Sequence, residues 1–332
     1  MTNILFKNAL EKKSQNVPPI WFMRQAGRYH GHYKKLKEQY TFEQLCKTPE
    51  LAAEVAFGPI NEFDFDIAIL FSDILFLLEG LGMNLVFSPG PEFKENINKN
   101  NFQLYNDIDK AINHLNFQKH AIKITREKIP QSKSLIGFVG GLWTLLCYAV
   151  GKKTKITNIE DYHLIFLKKT LLPLIKLNIQ LQLDSGAEIV MILDSNLYDL
   201  DHKFFESEYY LMLQNIANEF PNKVGYYSRG KKFEELELLF KLSFSGMGFD
   251  KNIKISNAFD ANYKGFIQGN FNENLMLLEE TEFIIELNNF TNEMLQIQNR
   301  DGWVCGLGHG INKHTPEKNV HLFIEHIRKS FS

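Results

Sequence analysis

Short runs of apolar residues, without the polar alternation of half-exposed strands, recur along this sequence. Residues 67–71 and 189–193 are apolar throughout, and each run is followed within two residues by an aspartate. A strand that is apolar at every position is buried on both faces, as in parallel sheets covered by helices. With the runs that contain glycine or tyrosine included, the candidate strands are residues 20–23, 67–71, 135–139, 189–193, 224–227, 246–249, 265–267 and 303–306.

These candidate strands, with helical segments between them, predict an α/β fold: a (β/α)8 TIM-type barrel with extra N-terminal helices. The chain has 332 residues, which leaves room for those helices beyond a typical barrel of about 250 residues. No linker-like stretch or internal repeat divides the sequence, so residues 1–332 are interpreted as a single domain. A doubly wound open sheet is the alternative, but the glycine-rich nucleotide fingerprint of that class is missing.

Several local signals predict where helices begin. Residues 41–44 have capping-box spacing, and the Thr-Pro pair that opens residues 48–61 predicts an N-cap with proline in the first turn. An amphipathic pattern over residues 158–184 predicts a long helix with a kink near Pro173. Residues 315–317, Thr-Pro-Glu, predict the cap of a C-terminal helix.

Composition limits the partners of the chain. The formal net charge is −2, so no overall positive charge recruits nucleic acid or an anionic membrane surface. No stretch has the length and apolar composition of a membrane span, and none resembles a secretory signal. The cysteines Cys46, Cys147 and Cys305 are too far apart for a metal cluster or a disulfide framework. We therefore expect a cytoplasmic protein.

Two arginines follow the first apolar run. Arg24 and Arg28 lie four residues apart, with Ala26 and Gly27 between them. An arginine keeps its charge at physiological pH, and its planar fork of donors matches a carboxylate or a phosphate in bidentate fashion. Two such forks held close together favour an anion that carries several charges.

In a barrel of this class, functional side chains lie beyond the carboxyl ends of the strands. Residues with ordinary structural explanations also occur there: an aspartate often caps a helix, a tyrosine packs in a core, a serine forms a turn and a histidine contacts the backbone. We assign Arg229, Asp250 and Gln268 structural roles by default. The residues that remain as candidates for the site are Arg24, Arg28, Asp73, Tyr148, Ser195 and His309.

Residues 21–29, with the sequence WFMRQAGRY, resemble the N-terminal signature of the uroporphyrinogen decarboxylase family. Further segments resemble the same family at residues 71–75, 137–148, Ser195, 268–270 and 307–310. The chain departs from the usual family pattern at residues 30–32, Leu142, Leu193 and Lys251. These departures concern the mouth of the implied cleft and its aromatic packing rather than the charged positions.

The resemblance implies a decarboxylase of haem biosynthesis that uses no cofactor and no metal. Its substrate would be uroporphyrinogen III, a reduced tetrapyrrole with eight carboxylates, and the enzyme would be a homodimer. Asp73, Arg24 and Arg28 would be catalytic: the arginines would hold carboxylates, and Asp73 would gather the pyrrole N–H groups and stabilise a pyrrole cation. The implied substrate-binding residues are Arg24, Gln25, Ala26, Gly27, Arg28, Asp73, Tyr148, Ser195 and His309.

Three other functions are alternatives for a chain of this kind. A zinc or corrinoid-type methyltransferase of the same barrel superfamily needs a thiolate site, and no cysteine here has a histidine two residues before it. Residues 151–154, Gly-Lys-Lys-Thr, superficially resemble a phosphate loop, but Leu146 replaces its first glycine. A tetrapyrrole-binding protein without activity would keep the arginines but would not need Asp73.

Overall fold

The structure is a computed structural model that describes residues 2–87, 90–151, 156 and 158–332. Residues 152–154 of the segment compared with a phosphate loop lie outside the described residues. The strands are β1 (Ile67–Ile69), β2 (Leu85–Phe87), β3 (Pro91–Phe93), β4 (Ser134–Gly140), β5 (Val190–Asp194), β6 (Val224–Ser228), β7 (Gly246–Gly248), β8 (Phe266–Phe271) and β9 (Trp303–Leu307). A sheet of seven parallel strands forms the centre of the structure, in the order β1-β4-β5-β6-β7-β8-β9, and β2 and β3 form a separate antiparallel pair.

The central strands follow one another around the sheet, each parallel to the next. Val190 of β5 pairs with Val224 of β6, and Ile267 of β8 pairs with Trp303 of β9. β6 and β9 are buried at every position. The prediction of a parallel sheet covered by helices is therefore confirmed, and seven of the eight candidate strands belong to it.

The prediction of a strand over residues 20–23 is wrong, since only Ile20 forms a bridge, with Cys305 of β9. Around it, the Trp21 amide donates to the Cys305 carbonyl at 3.1 Å and the Cys305 amide donates to the Pro19 carbonyl at 2.9 Å. Pro19 lacks an amide donor, and the chain turns at Arg24, whose φ is +63°. Both features prevent a longer ladder.

The helices include the expected N-terminal group. The capping box of residues 41–44 is confirmed: the Thr41 side chain accepts from the Gln44 amide, and the Gln44 side chain accepts from the Thr41 amide. The helices are α1 (Ile4–Leu10), α2 (Gly31–Gln39), α3 (Phe42–Lys47), α4 (Pro49–Phe63), α5 (Phe76–Gly80), α6 (Ile108–His114), α7 (Asn116–Lys128), α8 (Leu142–Ala149), α9 (Asp161–Ile165), α10 (Leu172–Asp184), α11 (His202–Phe204), α12 (Tyr210–Glu219), α13 (Phe233–Glu237), α14 (Ser256–Asp260), α15 (Glu280–Gln296) and α16 (Glu317–Ser330).

Two helix predictions need correction. The pattern over residues 158–184 forms α9 and α10 joined by a wide π-helical stretch, Phe166–Leu171, so the irregularity precedes Pro173. α16 begins after Pro316, and its first turn receives no side-chain cap. The Glu317 carboxylate instead accepts from the Gly31 amide at 2.7 Å, which ties α16 to α2.

The inner face of the curved sheet is filled by strand residues and by α1. Phe6 of α1 packs edge-on against Phe266, with ring centroids 6.0 Å apart. The Asn3 amide donates to the Ser134 hydroxyl at the start of β4, and the Lys12 ammonium donates to the Tyr263 carbonyl before β8. The N-terminal helix therefore covers the end where the strands begin and leaves the carboxyl ends for a site. Among the described residues, no helix is both long and apolar enough to cross a membrane.

Candidate active site

Gln25 holds the arginine turn, residues 21–29, against the sheet. Its side-chain amide donates to the Ile67 carbonyl of β1 at 2.8 Å, and its Oε1 accepts from the Phe22 amide at 3.2 Å. The Tyr29 hydroxyl donates to the Gln25 carbonyl at 2.7 Å. Because Gln25 is buried while Arg24 and Arg28 are exposed, the turn presents two guanidinium groups on a fixed backbone.

Arg24 packs against the loop that carries His309. A Cβ atom added to Gly310 would lie 2.6 Å from Cδ of Arg24, so the arginine stem occupies the space that only glycine leaves there. The Ile311 amide donates to the Met23 carbonyl at 3.0 Å. The structure therefore brings together Arg24 and His309, two candidates 285 residues apart in the sequence.

His309 is a neutral histidine among cations. Its Nδ1 lies 2.9 Å from the Tyr227 hydroxyl, and the two rings stack with centroids 5.9 Å apart. Burial lowers the pKa of His309 to about 3, and the positive charges of Arg24, Arg229 and Lys251 act in the same direction. The imidazole therefore takes part in hydrogen bonding without adding charge to the site.

Arg28 faces a separate groove of about 530 Å³ beside the start of α16. The groove contains further cationic side chains, which sequence reasoning did not single out. Its lining consists of Arg28, Tyr29, Lys34, Lys313, His314, Thr315, Pro316 and Glu317.

Asp73 lies in the turn between β1 and α5. Its Oδ1 accepts from the Leu75 amide at 2.9 Å, which is the local capping interaction common for an aspartate after a strand. The side chain is half-buried. Burial raises the pKa of the Cys46 thiol, and the negative charge of Asp73 acts in the same direction. Asp73 is thus held by its own turn at the carboxyl end of β1.

Tyr148 and Ser195 are linked through the start of α8. Tyr148 is half-buried near the end of that helix, and Ser195 directly follows β5. The Thr144 hydroxyl donates to Asp194 at 2.7 Å and accepts from the Asn196 amide at 3.0 Å. These bonds fix the helix that carries Tyr148 against the loop that carries Ser195.

Asp194 is the centre of this link, and sequence reasoning missed it. Its fully buried carboxylate accepts from the Thr144 amide at 2.9 Å, from the Tyr226 hydroxyl at 3.0 Å and from the Tyr209 hydroxyl. Burial raises the pKa of Asp194, and these hydrogen bonds oppose the rise. A Cβ added to Gly141 would lie 2.3 Å from Cγ of Asp194. The sequence signal that could have identified Asp194 is its position at the end of an apolar strand.

Of the three residues that were assigned structural roles, Asp250 and Gln268 have such roles in the structure and Arg229 lies near the site. Asp250 accepts from the Gly230 and Asn252 amides at 2.5 and 2.8 Å, which stabilises two loops. Gln268 of β8 donates to the Leu307 carbonyl at the end of β9 at 3.3 Å, which joins the two strands. Arg229 instead contributes its charge to the surroundings of His309.

The cysteines do not form a thiolate site. Cys46, Cys147 and Cys305 are all buried, and burial raises the pKa of each thiol. Across residues 2–87, 90–151, 156 and 158–332, no group of three histidine, cysteine, aspartate or glutamate side chains is arranged to hold a metal ion.

Comparison with known proteins gives one consistent family. The family model for uroporphyrinogen decarboxylase (URO-D) matches residues 1–330. A uroporphyrinogen decarboxylase of Orientia tsutsugamushi is 33% identical over 98% of both chains. One from Neorickettsia sennetsu is 31% identical over 93% of this chain and 96% of the relative.

Solved structures with a similar fold are more distant in sequence. A methyltransferase from Methanosarcina mazei superposes with a TM-score of 0.82 over 99% of both chains, at 16% identity. A putative vitamin-B12-independent methionine synthase from Listeria monocytogenes gives a TM-score of 0.57 over 95% of this chain and 96% of that chain, at 11% identity. These likenesses concern the fold alone. Since the family model and the named relatives cover nearly the whole sequence, the chain belongs to the uroporphyrinogen decarboxylase family.

Proposed function

We propose that this protein decarboxylates uroporphyrinogen III, converting its four acetate side chains to methyl groups and giving coproporphyrinogen III. The observation that carries the proposal is the turn of residues 21–29, in which buried Gln25 supports two exposed guanidinium groups. Such a pair suits a substrate with many carboxylates. Membership of the family supports the reaction.

The proposed reaction uses the pyrrole as its own electron sink. A proton adds to the ring carbon next to the one that bears the acetate arm, which makes the ring a cation. The bond between the arm and its carboxylate then breaks, its electron pair neutralises the ring, and carbon dioxide leaves. A second proton completes the new methyl group, and the ring carbon releases the first proton, which restores the neutral pyrrole. No cofactor enters this sequence of steps.

Asp73 is the proposed stabiliser of the pyrrole cation. A fixed carboxylate close to a developing positive charge lowers the barrier, because the charge need not reorganise water in the transition state. The turn of Asp73 supports this role, since the hydrogen bond from the Leu75 amide orients its carboxylate before any ligand binds. The same carboxylate would accept hydrogen bonds from the pyrrole N–H groups.

The remaining proposed residues bind and shape the substrate. Arg24 and Arg28 would hold carboxylate arms on two sides of the turn, one near His309 and one in the groove with Lys313. Gln25 fixes the turn, and small Ala26 and Gly27 allow close approach of a macrocycle. Tyr148, Ser195 and His309 would complete the binding surface.

The methyltransferase alternative is not favoured by the donor set of this chain. Thiol activation by zinc requires accessible thiolates, whereas burial raises the pKa of Cys46, Cys147 and Cys305.

We further propose that the sheet closes into an eight-stranded barrel, with the segment around Ile20 between β9 and β1. The Asp66 amide donates to the Ile20 carbonyl at 3.2 Å, on the side opposite the Cys305 bridge, which supports closure. A single domain over residues 1–332, a homodimer and a cytoplasmic location complete the proposal. Sedimentation of the purified protein tests the dimer.

The decisive experiment is anaerobic incubation of the purified protein with uroporphyrinogen III, followed by oxidation and chromatographic counting of carboxylates. We expect stepwise conversion from eight carboxylates to four. Asp73→Asn should slow this conversion by about 10²–10³, the range found when one electrostatic stabiliser is removed. Asp109→Asn, at an exposed position of α6, is the matched control and should convert substrate normally.

Two outcomes would contradict the proposal. Binding of the tetrapyrrole without loss of carboxylates would identify a binding protein. Normal turnover by Asp73→Asn would remove Asp73 from the chemistry, and undiminished turnover by Arg28→Lys would do the same for Arg28.

A further inference from the structure

The hydroxyl of Tyr227 lies between two groups of the His309 loop. It is 2.9 Å from the Gly308 carbonyl oxygen and 2.9 Å from Nδ1 of His309. Tyr227 is 1% exposed, and its ring stacks on the imidazole at an interplanar angle of 16°. Burial raises the pKa of its hydroxyl, which therefore keeps its proton.

The number of available protons fixes the direction of both hydrogen bonds. The Gly308 carbonyl can only accept, and the Tyr227 hydroxyl has one proton to donate. If that proton pointed at His309, two oxygen atoms would face each other at 2.9 Å without a proton between them. If it points at the carbonyl, the hydroxyl oxygen must receive its other hydrogen bond from Nδ1–H. Only the second arrangement places a proton between the two atoms of each contact.

A neutral imidazole carries one proton. The cations around His309 and its burial keep the ring neutral, as described for the site. With that proton on Nδ1, Nε2 carries a lone pair and can only accept a hydrogen bond.

We propose that Tyr227 is a positioning residue that holds His309 in the Nδ1–H form, so that Nε2 accepts from an N–H group of the ligand. The proposal rests on the proposed function for the identity of that ligand, whose pyrrole rings supply N–H donors. A carboxylate arm cannot be the partner of Nε2, since both would present lone pairs. The carboxylate arms of the ligand would bind instead to Arg24 and in the groove of Arg28.

The tautomer is measured without any turnover. In long-range proton–nitrogen correlation spectra of the full-length protein with ¹⁵N-labelled histidine, protonated and unprotonated ring nitrogens resonate far apart. His309→Gln assigns the His309 signals. We expect protonated Nδ1 and unprotonated Nε2 in the unaltered protein, and exchange between both forms in Tyr227→Phe, which loses only the hydroxyl.

Tyr263→Phe is the matched control. Tyr263 is also buried, and within the described residues its hydroxyl has no hydrogen-bond partner, so its loss should leave the His309 signals unchanged. A protonated Nε2 in the unaltered protein would overturn the proposal. So would a Tyr227→Phe spectrum identical to that of the unaltered protein.

Two probes then test the ligand group. Anaerobic coproporphyrinogen III, which has pyrrole N–H donors, should move the Nε2 resonance towards the hydrogen-bonded position. Benzenehexacarboxylate, a polyanion without N–H groups, should leave it in place. The reverse pattern, or no movement with the tetrapyrrole, would exclude His309 as the acceptor of an N–H group.

Activity provides a separate measurement. Loss of one oriented hydrogen bond predicts a fall of about tenfold in kcat/KM for Tyr227→Phe, with normal values for Tyr263→Phe. Failure of the decarboxylase proposal would show as no turnover in any variant, while the spectra of the ligand-free protein would still decide the tautomer. The two proposals therefore fail in distinguishable ways.

Discussion

His30 is far more buried than its neighbours in the sequence would suggest. It follows the arginine turn, in a stretch rich in basic and polar residues, yet it is 2% exposed. Its ring packs 4.9 Å from that of Phe63, and within the described residues its Nδ1 has no hydrogen-bond partner. Burial lowers the pKa of His30 to about 4, although the nearby Glu317 carboxylate acts in the opposite direction.

This pKa predicts that the protein loses stability in mild acid. The unfolded chain binds a proton at His30 near pH 6.5, whereas the folded chain does so only near pH 4. The free energy of unfolding should therefore fall as the pH decreases through this window, by about 1–2 kcal/mol from His30 between pH 7.5 and 5. Urea denaturation at both pH values measures the effect.

His30→Leu should lose less stability on acidification than the unaltered protein does. His309, whose pKa is also lowered, keeps part of the dependence in this variant. The same change at exposed His120 serves as the control and should leave the pH dependence as it was. Equal slopes for His30→Leu and the unaltered protein would show that His30 does not titrate as described.

The junction between β5 and α8 shows how two elements are held in fixed relation. Four hydrogen bonds reach the buried Asp194 carboxylate, from Thr144, Tyr209 and Tyr226. Because Tyr148 lies in the same helix as Thr144, the junction also determines where Tyr148 is presented. A carboxylate buried this deeply depends on all of its donors.

Thr144→Val should destabilise the protein by about 1–3 kcal/mol. Valine has nearly the shape of threonine, but the change removes one donor to Asp194 and the acceptor of the Asn196 amide. Thr125→Val is the control: Thr125 is equally buried, and its hydroxyl donates only to the Ala121 carbonyl within α7. Thermal or chemical unfolding of both variants measures the difference, and equal losses would contradict the prediction.

Local patterns were enough to predict most elements but not the contacts between distant ones. The strands around residues 67–71 and 189–193 were found because continuous burial leaves an apolar run. The prediction of a strand over residues 20–23 is wrong, since the pairing of this segment is limited by Pro19 and involves Cys305, which is far away in the sequence. The Asp194 cluster was missed for the same reason: its donors come from separate elements. In the site, positions after predicted strands made Arg24 and His309 candidates and the family resemblance supported them, while only the structure placed Tyr227 beside His309.

Asp66 joins the beginning and the end of the molecule. Its Oδ2 accepts from the Ile20 amide at 2.7 Å and from the Arg328 guanidinium at 2.6 Å, and its Oδ1 accepts from Asn3 at 3.4 Å. Arg328 lies in α16, and its side chain is 27% exposed, whereas that of Asp66 is 5% exposed. One nearly buried carboxylate thus connects the N-terminal segment, β1 and the C-terminal helix.

Arg328→Met should lower the free energy of unfolding by about 1–3 kcal/mol, because Asp66 would stay buried without its main cation. Methionine keeps most of the apolar stem, so the loss reflects the guanidinium. Lys329→Met, at the exposed neighbouring position of α16, should have little effect. Chemical denaturation of both variants measures the difference, and an equally small loss for Arg328→Met would show that water or another group compensates Asp66.

The hydrogen bond from Arg328 to the Pro18 carbonyl joins residues 310 positions apart in the chain. A ribosome that adds about 5–20 residues per second needs roughly 15–60 s to synthesise the intervening chain. Trp21 and Phe22, which are buried in the finished protein, have no partners from β9 or α16 during that time. The arginine turn therefore reaches its final place only after β9 and α16 have been synthesised, and this interval gives chaperones time to bind it.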